Sequence, residues 1–246
     1  MWTPGPVAAL LSPPVAGAIH VWLVPLADVP IDGAAAVLTP AEREQSSRFV
    51  SASLTRRFIC KRATLRRILA SYAGMHAAEI AFGAGAQGKP FLRERDGAAS
   101  PLEFNVSDAG EHVLVAVAMQ RPIGVDIEMM RPMEEADDII EHHFSAIERA
   151  TYRRLPPEQQ LIAFFTAWTR KEAYIKAVGV GLHLPLESFS VAIDPAAPAR
   201  LIEIDGDPTK AAEWTLLPVE VPKGHVGAVV VRGPVSNCQT WTWPPG

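Results

Sequence analysis

The sequence contains only two cysteines, Cys60 and Cys238, which lie far apart and lack the spacing of a metal site. This scarcity argues against a disulfide framework and a zinc site, and it favours a reducing cytoplasm. No apolar run approaches the roughly 20 residues that a membrane span requires, and the first residues lack the basic segment of a signal peptide. The formal net charge is only −4, which argues against broad nucleic-acid binding.

The residues that are present predict a folded α+β protein. Hydrophobic residues make up 48% and charged residues 20% of the 246 positions, a balance that excludes a disordered chain. We expect two similar lobes, residues 18–119 and 120–234, each with a long helix packed on a small, mostly antiparallel sheet. Residues 1–17 are predicted to be a flexible lead, and residues 235–246 a tail outside the main fold.

Capping residues predict where the helices begin and end. Thr39 and Glu42 form a capping box with Pro40 at the first helical position. Apolar residues recur at helical spacing from residue 53 to 73, where Gly74 is a natural stop, and a second long helix ends at Gly179. The first long helix is rich in basic residues: Arg56, Arg57, Lys61, Arg62, Arg66 and Arg67. A solvated helix face is the simplest interpretation of any one of them.

Two short segments place acids where a metal could bind. In PIGVDIE, residues 122–128, Asp126 and Glu128 point to one face of a predicted strand, with Cα atoms roughly 6–7 Å apart. Such a pair suits Mg²⁺ or Mn²⁺, although a solvent-facing strand is the favoured interpretation of these residues taken alone. In WTRKEAYIK, Trp168, Glu172 and Lys176 form one helical stripe, which is also consistent with a surface ion pair.

GVDIE, followed about forty residues later by WTRKEAYIK, closely resembles the signature of the 4′-phosphopantetheinyl transferases, in the larger class with two related halves in one chain. QGKPFL at 87–92, FNVSDAG at 104–110 and GVGLHLPLESFSVAI at 179–193 resemble the family in the same order. The resemblance implies that the chain moves the phosphopantetheine arm of coenzyme A onto a serine of an acyl or peptidyl carrier protein, releasing adenosine 3′,5′-bisphosphate.

The same resemblance implies roles for individual residues. Asp126, Glu128 and Glu172 would bind Mg²⁺, and Lys176 would hold the pyrophosphate. Glu172 is the candidate base, with proton relay through a metal-bound water as the alternative. The implied coenzyme A contacts are Arg57, Arg62, Lys89, Pro90, Asn105, Ser107, Asp108 and Lys176.

The sequence departs from the family pattern at Asp108, where members often carry histidine. A carboxylate repels a phosphate, so we expect Asp108 to turn away or to be compensated by Arg57 and Arg62. Near residue 42 members can carry lysines, whereas this chain has Glu42 and Gln45.

The carrier protein is predicted to dock on residues 129–160, through exposed apolar side chains such as Met129, Met130, Met133 and Ile140. Since both halves lie in one chain, we expect a monomer. His142 and His143 are interpreted as structural or exposed. Two alternative functions remain: a metal-dependent nucleotide hydrolase, and a degenerate, non-catalytic module that binds coenzyme A or a carrier.

Overall fold

The computed structural model describes residues 2–5 and 11–243, except for the side chain of Leu182. The strands are β1 Thr3–Pro4, β2 Ala18–Pro25, β3 Ala81–Ala84, β4 Pro90–Arg93, β5 Leu102–Ala109, β6 His112–Met119, β7 Ile123–Met129, β8 Phe189–Val191, β9 Leu201–Ile204, β10 Trp214–Val219, β11 His225–Arg232 and β12 Asn237–Thr242. The α-helices are α1 Pro40–Ser47, α2 Ala52–Ala73, α3 Ala136–His143, α4 Ala146–Tyr152, α5 Pro157–Val178 and α6 Pro208–Ala211. The α+β prediction is therefore confirmed.

The predicted helix ends are also confirmed. Thr39 and Glu42 make both hydrogen bonds of the capping box at the start of α1. The two long helices, α2 and α5, each end at a glycine in the left-handed conformation, Gly74 and Gly179. Glycine adopts this conformation without steric cost, so the sequence marks both ends unambiguously. Among the helices of the described residues, none is long and apolar enough to cross a bilayer.

Two sheets form the centre of the molecule. One has five strands in the order β1-β12-β2-β6-β5, and the other has three in the order β10-β11-β7. Most neighbouring strands are antiparallel, but β12 runs parallel to both β1 and β2. Two short ribbons, β3-β4 and β8-β9, lie beside them.

Three buried clusters show how these elements are layered. Leu65 and Ile68 of α2 pack on one face of the five-stranded sheet, against residues such as Trp22. Ala173 of α5 packs on the three-stranded sheet, in a cluster with Ala228 and Val230. The inner faces of the two sheets share the third cluster, which contains Ile19, Val21, Leu114, Ile123, Val125 and Val231. The layers therefore follow the order helix, sheet, sheet, helix.

The predictions for the two ends of the chain are wrong where the structure describes them. Residues 237–242 form β12, which pairs with β2 along its whole length. Trp241 and Trp243 pack against Trp22 with their rings tilted, and partial burial of these rings stabilises the strand in the sheet. Residues 3–4 pair with β12. Residues 6–10 and 244–246 lie outside the described part of the chain. The similarity of the two halves stays a prediction.

Candidate active site

Strand β7 presents one face to α5 and the other to the core between the sheets. Val125 and Ile127 point into the core, where both are buried. Gly124, Asp126 and Glu128 alternate with them and so share the opposite face. At Gly124 a Cβ atom would lie only 2.1 Å from the carbonyl oxygen of Ala173. The absence of a side chain at this position lets the backbones of β7 and α5 approach each other closely.

An open cleft of about 430 Å³ lies where β5, β7 and α5 meet. Its lining residues are Val106, Ser107, Asp108, Asp126, Glu128, Trp168, Glu172 and Lys176. The structure thus brings the three predicted metal-binding acids to one place, although Glu172 is more than forty positions from the other two. It also directs the predicted stripe on α5 into this cleft instead of toward bulk solvent.

Asp126 is the most buried acid in the cleft, with a side chain only 3% exposed. Its Oδ1 accepts hydrogen bonds from Lys176 Nζ at 2.6 Å and from Ser107 Oγ at 2.7 Å. Lys176 Nζ also donates to Ser107 Oγ at 3.0 Å. Burial raises the pKa of Asp126, while the charge and hydrogen bond of Lys176 oppose that rise. The Oδ2 atom is buried and has no hydrogen-bond partner.

The other two acids resist ionisation as well. Burial raises the pKa of Glu172, and repulsion from Asp126 adds to the effect. Burial also raises the pKa of Glu128, with further contributions from Asp126 and Glu172. A cation or a proton would relieve this crowding of negative charge, since each removes repulsion between the carboxylates.

The donor set fits a hard divalent cation, but it is not preassembled. Within the described residues, no group of three or more His, Cys, Asp or Glu side chains is already arranged to hold a metal. Lys176 Nζ instead binds the Oδ1 atom of Asp126. The buried, unpartnered Oδ2 of Asp126 is the feature that favours a cation, because an unsatisfied buried oxygen costs free energy. Carboxylate oxygens are also the ligands that Mg²⁺ prefers.

A second cavity of about 340 Å³ adjoins the cleft and is lined by Lys89, Pro90, Asn105 and Lys176, among others. Lys89 Nζ donates to the carbonyl oxygens of Ile123 at 3.0 Å and Ala177 at 3.1 Å, so it ties β7 to the end of α5. Burial lowers the pKa of Lys89.

Asn105 also holds the walls of the cleft together. Its Oδ1 accepts from the backbone N–H of Val125 at 2.9 Å and links β5 to β7. Sequence reasoning missed these structural contacts of Lys89 and Asn105.

Asp108 does not turn away from the cleft but is compensated by two cations of α2. Its Oδ1 accepts from Lys61 Nζ at 2.6 Å, and its Oδ2 accepts from Arg57 Nη2 at 3.4 Å. Arg57 therefore has the predicted place, but the prediction that Arg62 compensates Asp108 is wrong. Arg62 instead pairs with Glu42 at 2.6 Å.

The missed partner, Lys61, lies one helical turn after Arg57, so the i,i+4 spacing of the two cations was a signal for it. Glu42 is nearly buried, and it binds Arg66 at 2.8 Å as well as Arg62. The acid near residue 42 therefore ties α1 to α2.

The predicted docking region contains less exposed apolar surface than expected. Met129 is 44% exposed, but Ile140 is only 2% exposed and belongs to the core around α5. The prediction that Ile140 is a surface residue is therefore wrong, since it lies on the inward face of α3. Met130 and Met133 are partly buried against the same core. His142 and His143 are exposed, as expected.

Comparison with known proteins matches both halves of the chain. The family model of the 4′-phosphopantetheinyl transferase superfamily matches residues 122–230, and a model described as 4′-phosphopantetheinyl transferase, N-terminal, matches residues 27–120. The 4′-phosphopantetheinyl transferase HetI from Nostoc is 35% identical over 235 residues, which cover 94% of each chain. The chain belongs to the 4′-phosphopantetheinyl transferase family. It is therefore an enzyme that transfers the 4′-phosphopantetheine moiety of coenzyme A to a carrier-protein serine.

Other relatives match a smaller part of the chain. A 4′-phosphopantetheinyl transferase from Bacillus subtilis is 35% identical over 156 residues, covering 63% of this chain and 66% of its own. A crystal structure of a holo-(acyl-carrier-protein) synthase from Bacillus anthracis in complex with CoA covers 46% of this chain and 96% of its own, with 24% identity and a TM-score of 0.36.

Proposed function

We propose that this 4′-phosphopantetheinyl transferase carries out its reaction in the cleft between β5, β7 and α5, with Mg²⁺ or Mn²⁺ and coenzyme A bound there. The observation that carries the proposal is the convergence of Asp126, Glu128 and Glu172 with Lys176 on one cleft. Acids for a cation, beside a lysine for phosphate charge, are the groups that phosphoryl transfer needs.

The three acids are the proposed metal ligands. The buried, unpartnered Oδ2 of Asp126 and the raised pKa values of Glu128 and Glu172 support this role, because a cation would stabilise their ionised forms. A bound divalent ion would supply charge neutralisation for the pyrophosphate of coenzyme A.

The reaction requires a base and a group that stabilises the leaving phosphate. The serine oxygen forms a bond to the phosphorus that carries the pantetheine arm. The bond from that phosphorus to the oxygen of adenosine 3′,5′-bisphosphate breaks. Glu172 is the proposed acceptor of the serine proton, because its carboxylate lies in the cleft with Lys176 and the other two acids. Lys176 is proposed to stabilise the charge that develops on the leaving group.

Coenzyme A itself is proposed to extend from the cleft into the adjoining cavity. Lys89, Pro90 and Asn105 line that cavity, and Ser107 lines the adjoining cleft. Since the Lys89 ammonium already binds two carbonyl groups, we expect it to shape the nucleotide site more than to neutralise a phosphate. The proposed basic contact on α2 is Arg57, which pairs with Asp108 at the edge of the cleft, whereas Arg62 is engaged by Glu42.

The carrier protein is proposed to dock on residues 129–160, and the enzyme to act as a monomer in the cytoplasm. Met129→Glu should raise the KM for carrier without changing the Kd of coenzyme A, because Met129 is 44% exposed and is the last residue of the cleft strand β7. Ile31→Glu is a matched control, since Ile31 has the same exposure and lies outside the docking region. An unchanged KM in Met129→Glu would count against this surface.

The deciding experiment is intact-mass spectrometry of an apo carrier protein after incubation with the enzyme, coenzyme A and Mg²⁺. We expect a phosphopantetheine mass gain that disappears in Glu172→Ala but persists in Glu158→Ala. Glu158 is a matched control, being an exposed glutamate at the start of the same helix.

Two other results would favour the alternatives. Phosphate release from a nucleotide without carrier would favour the hydrolase, and tight coenzyme A binding without any transfer would favour the degenerate module. Mn²⁺ binding followed by electron paramagnetic resonance tests the metal site without turnover, and Asp126→Asn should weaken it.

A further inference from the structure

Asp108 forms an unusual ion cluster at the edge of the cleft. Its carboxylate is shared between Lys61 at 2.6 Å and Arg57 at 3.4 Å, and all three side chains are roughly one-third exposed. Lys61 and Arg57 stand one helical turn apart on α2, so both point to the same side of that helix. The cluster is therefore within reach of a bound solute.

The cluster resembles an anion site that a protein carboxylate already fills. Arg57 has a further donor, Nε, which is buried without a hydrogen-bond partner. Its separation of 3.7 Å from Glu111 Oε1 is an ion contact and is too long for a hydrogen bond. Carboxylates and phosphates bind the same guanidinium and ammonium donors. An incoming phosphate would thus compete with Asp108 for two cations.

Two other basic side chains near the cleft are already engaged by protein groups. Lys176 binds Asp126 and Ser107, and Arg62 binds Glu42. Coenzyme A carries a pyrophosphate and, on its ribose, a 3′-phosphomonoester. With Lys176 proposed for the pyrophosphate, Arg57 and Lys61 form the cation pair best placed for the monoester.

We propose that Asp108 is an internal counter-ion of the 3′-phosphate site and sets the selectivity of this enzyme between coenzyme A and 3′-dephospho-coenzyme A. With Asp108 ionised, the three side chains carry a net charge of +1, whereas a phosphomonoester carries about −1.5 to −2. The 3′-phosphate therefore gains less attraction than two free cations would give it. The inference rests on the proposed function, because it takes coenzyme A as the ligand of the cleft.

Isothermal titration calorimetry with coenzyme A and with 3′-dephospho-coenzyme A tests the proposal. In the wild type we expect the two Kd values to differ by about threefold or less, which corresponds to a binding free-energy difference of well under 1 kcal/mol. Asp108→Asn should tighten coenzyme A binding about tenfold, the size of one charge-assisted contact, and should change the Kd of the dephospho form less than twofold. The gain should shrink as salt is added, since the liberated cations are partly exposed.

Glu111→Gln is the matched control. It removes an acid that also contacts Arg57 but does not line the cleft, so the ratio of the two Kd values should stay close to that of the wild type. Thermal unfolding checks that each variant folds. If Asp108→Asn does not fold, Asp108→Ser takes its place in the titrations.

Two results would overturn the proposal while leaving the proposed function intact. One is a wild-type enzyme that already binds coenzyme A about a hundredfold more tightly than the dephospho form, because that preference is the size expected from two cations free of Asp108. The other is an unchanged ratio in a folded Asp108 variant that still transfers phosphopantetheine. Failure of every variant to bind coenzyme A or to modify a carrier would instead refute the proposed function, and this inference with it.

Discussion

Gly124 offers a direct test of how closely the strand and helix of the site must pack. A Cβ atom there would lie 2.1 Å from the carbonyl oxygen of Ala173 and 2.3 Å from the backbone nitrogen of Ala177. An ordinary contact begins at 3.4 Å, so Gly124→Ala requires a separation of more than 1 Å. The obstructing atoms belong to helix backbone, which cannot rotate away as a side chain can. We therefore expect α5 to move outward as a unit.

The displacement should affect both stability and catalysis. Overpacking of this kind costs about 1–3 kcal/mol of unfolding free energy. It also separates Glu172 and Lys176 from Asp126, whose contact with Lys176 is now 2.6 Å. A misplacement of about 1 Å can lower a rate about 100-fold. Gly124→Ala should therefore lose far more transfer rate than its loss of stability would explain.

Urea unfolding and the rate of carrier modification at saturating substrates measure these two effects separately. Gly227→Ala is the control on neighbouring strand β11, where the added Cβ meets a Val221 methyl group at 2.8 Å, away from α5. We expect this control to lose some stability but to keep its rate. A Gly124→Ala enzyme with wild-type rate and stability would refute the reasoning.

Three further predictions concern buried charges. Glu148→Gln should lower the unfolding free energy, measured by urea unfolding, by about 3–5 kcal/mol, because it leaves the buried Lys171 ammonium without the carboxylate that now lies 2.8 Å away. A loss below about 1 kcal/mol would contradict this. Burial raises the pKa of Glu172 in the metal-free cleft, so its carboxyl group should titrate above the usual value of 4.5 when followed by NMR without Mg²⁺, and titration at or below 4.5 would contradict this. Burial lowers the pKa of His20 to about 4, so its contribution to stability is complete above pH 6.5 and is lost as pH falls toward 4. His20→Gln should therefore make the unfolding free energy depend less steeply on pH in this range. An equally steep pH dependence in the variant would exclude His20 as its source.

The local features of this fold could be predicted from sequence because their causes are local. A capping box involves residues three positions apart, and a left-handed glycine ends a helix through its own backbone. Strand alternation likewise placed Asp126 and Glu128 on one face. The meeting of these acids with α5 followed from the family resemblance, since spacing within each segment does not specify which elements pack together.

The parts that could not be predicted depend on contacts between distant residues. Lys89 binds carbonyl oxygens of Ile123 and Ala177, and every residue offers a carbonyl, so no residue pattern identifies the partner. Pairing of β12 with β2 joins segments more than 200 positions apart. Whether Lys61 or Arg62 pairs with Asp108 depends on which side of α2 faces β5. The sequence leaves that side ambiguous, because α2 carries several basic residues close together.

The seam between the two sheets explains why the site and the fold share the same contacts. Ser107 and Asn105 belong to the five-stranded sheet, whereas Asp126 and Val125 belong to the three-stranded one. The hydrogen bonds Ser107 to Asp126 and Val125 to Asn105 therefore join the sheets and also orient the cleft. Burial of Asp126 opposes folding, and Lys176 and Ser107 only partly offset that cost. These hydrogen bonds hold Ser107 and Asp126 between the two sheets, and they leave Oδ2 of Asp126 without a hydrogen-bond partner.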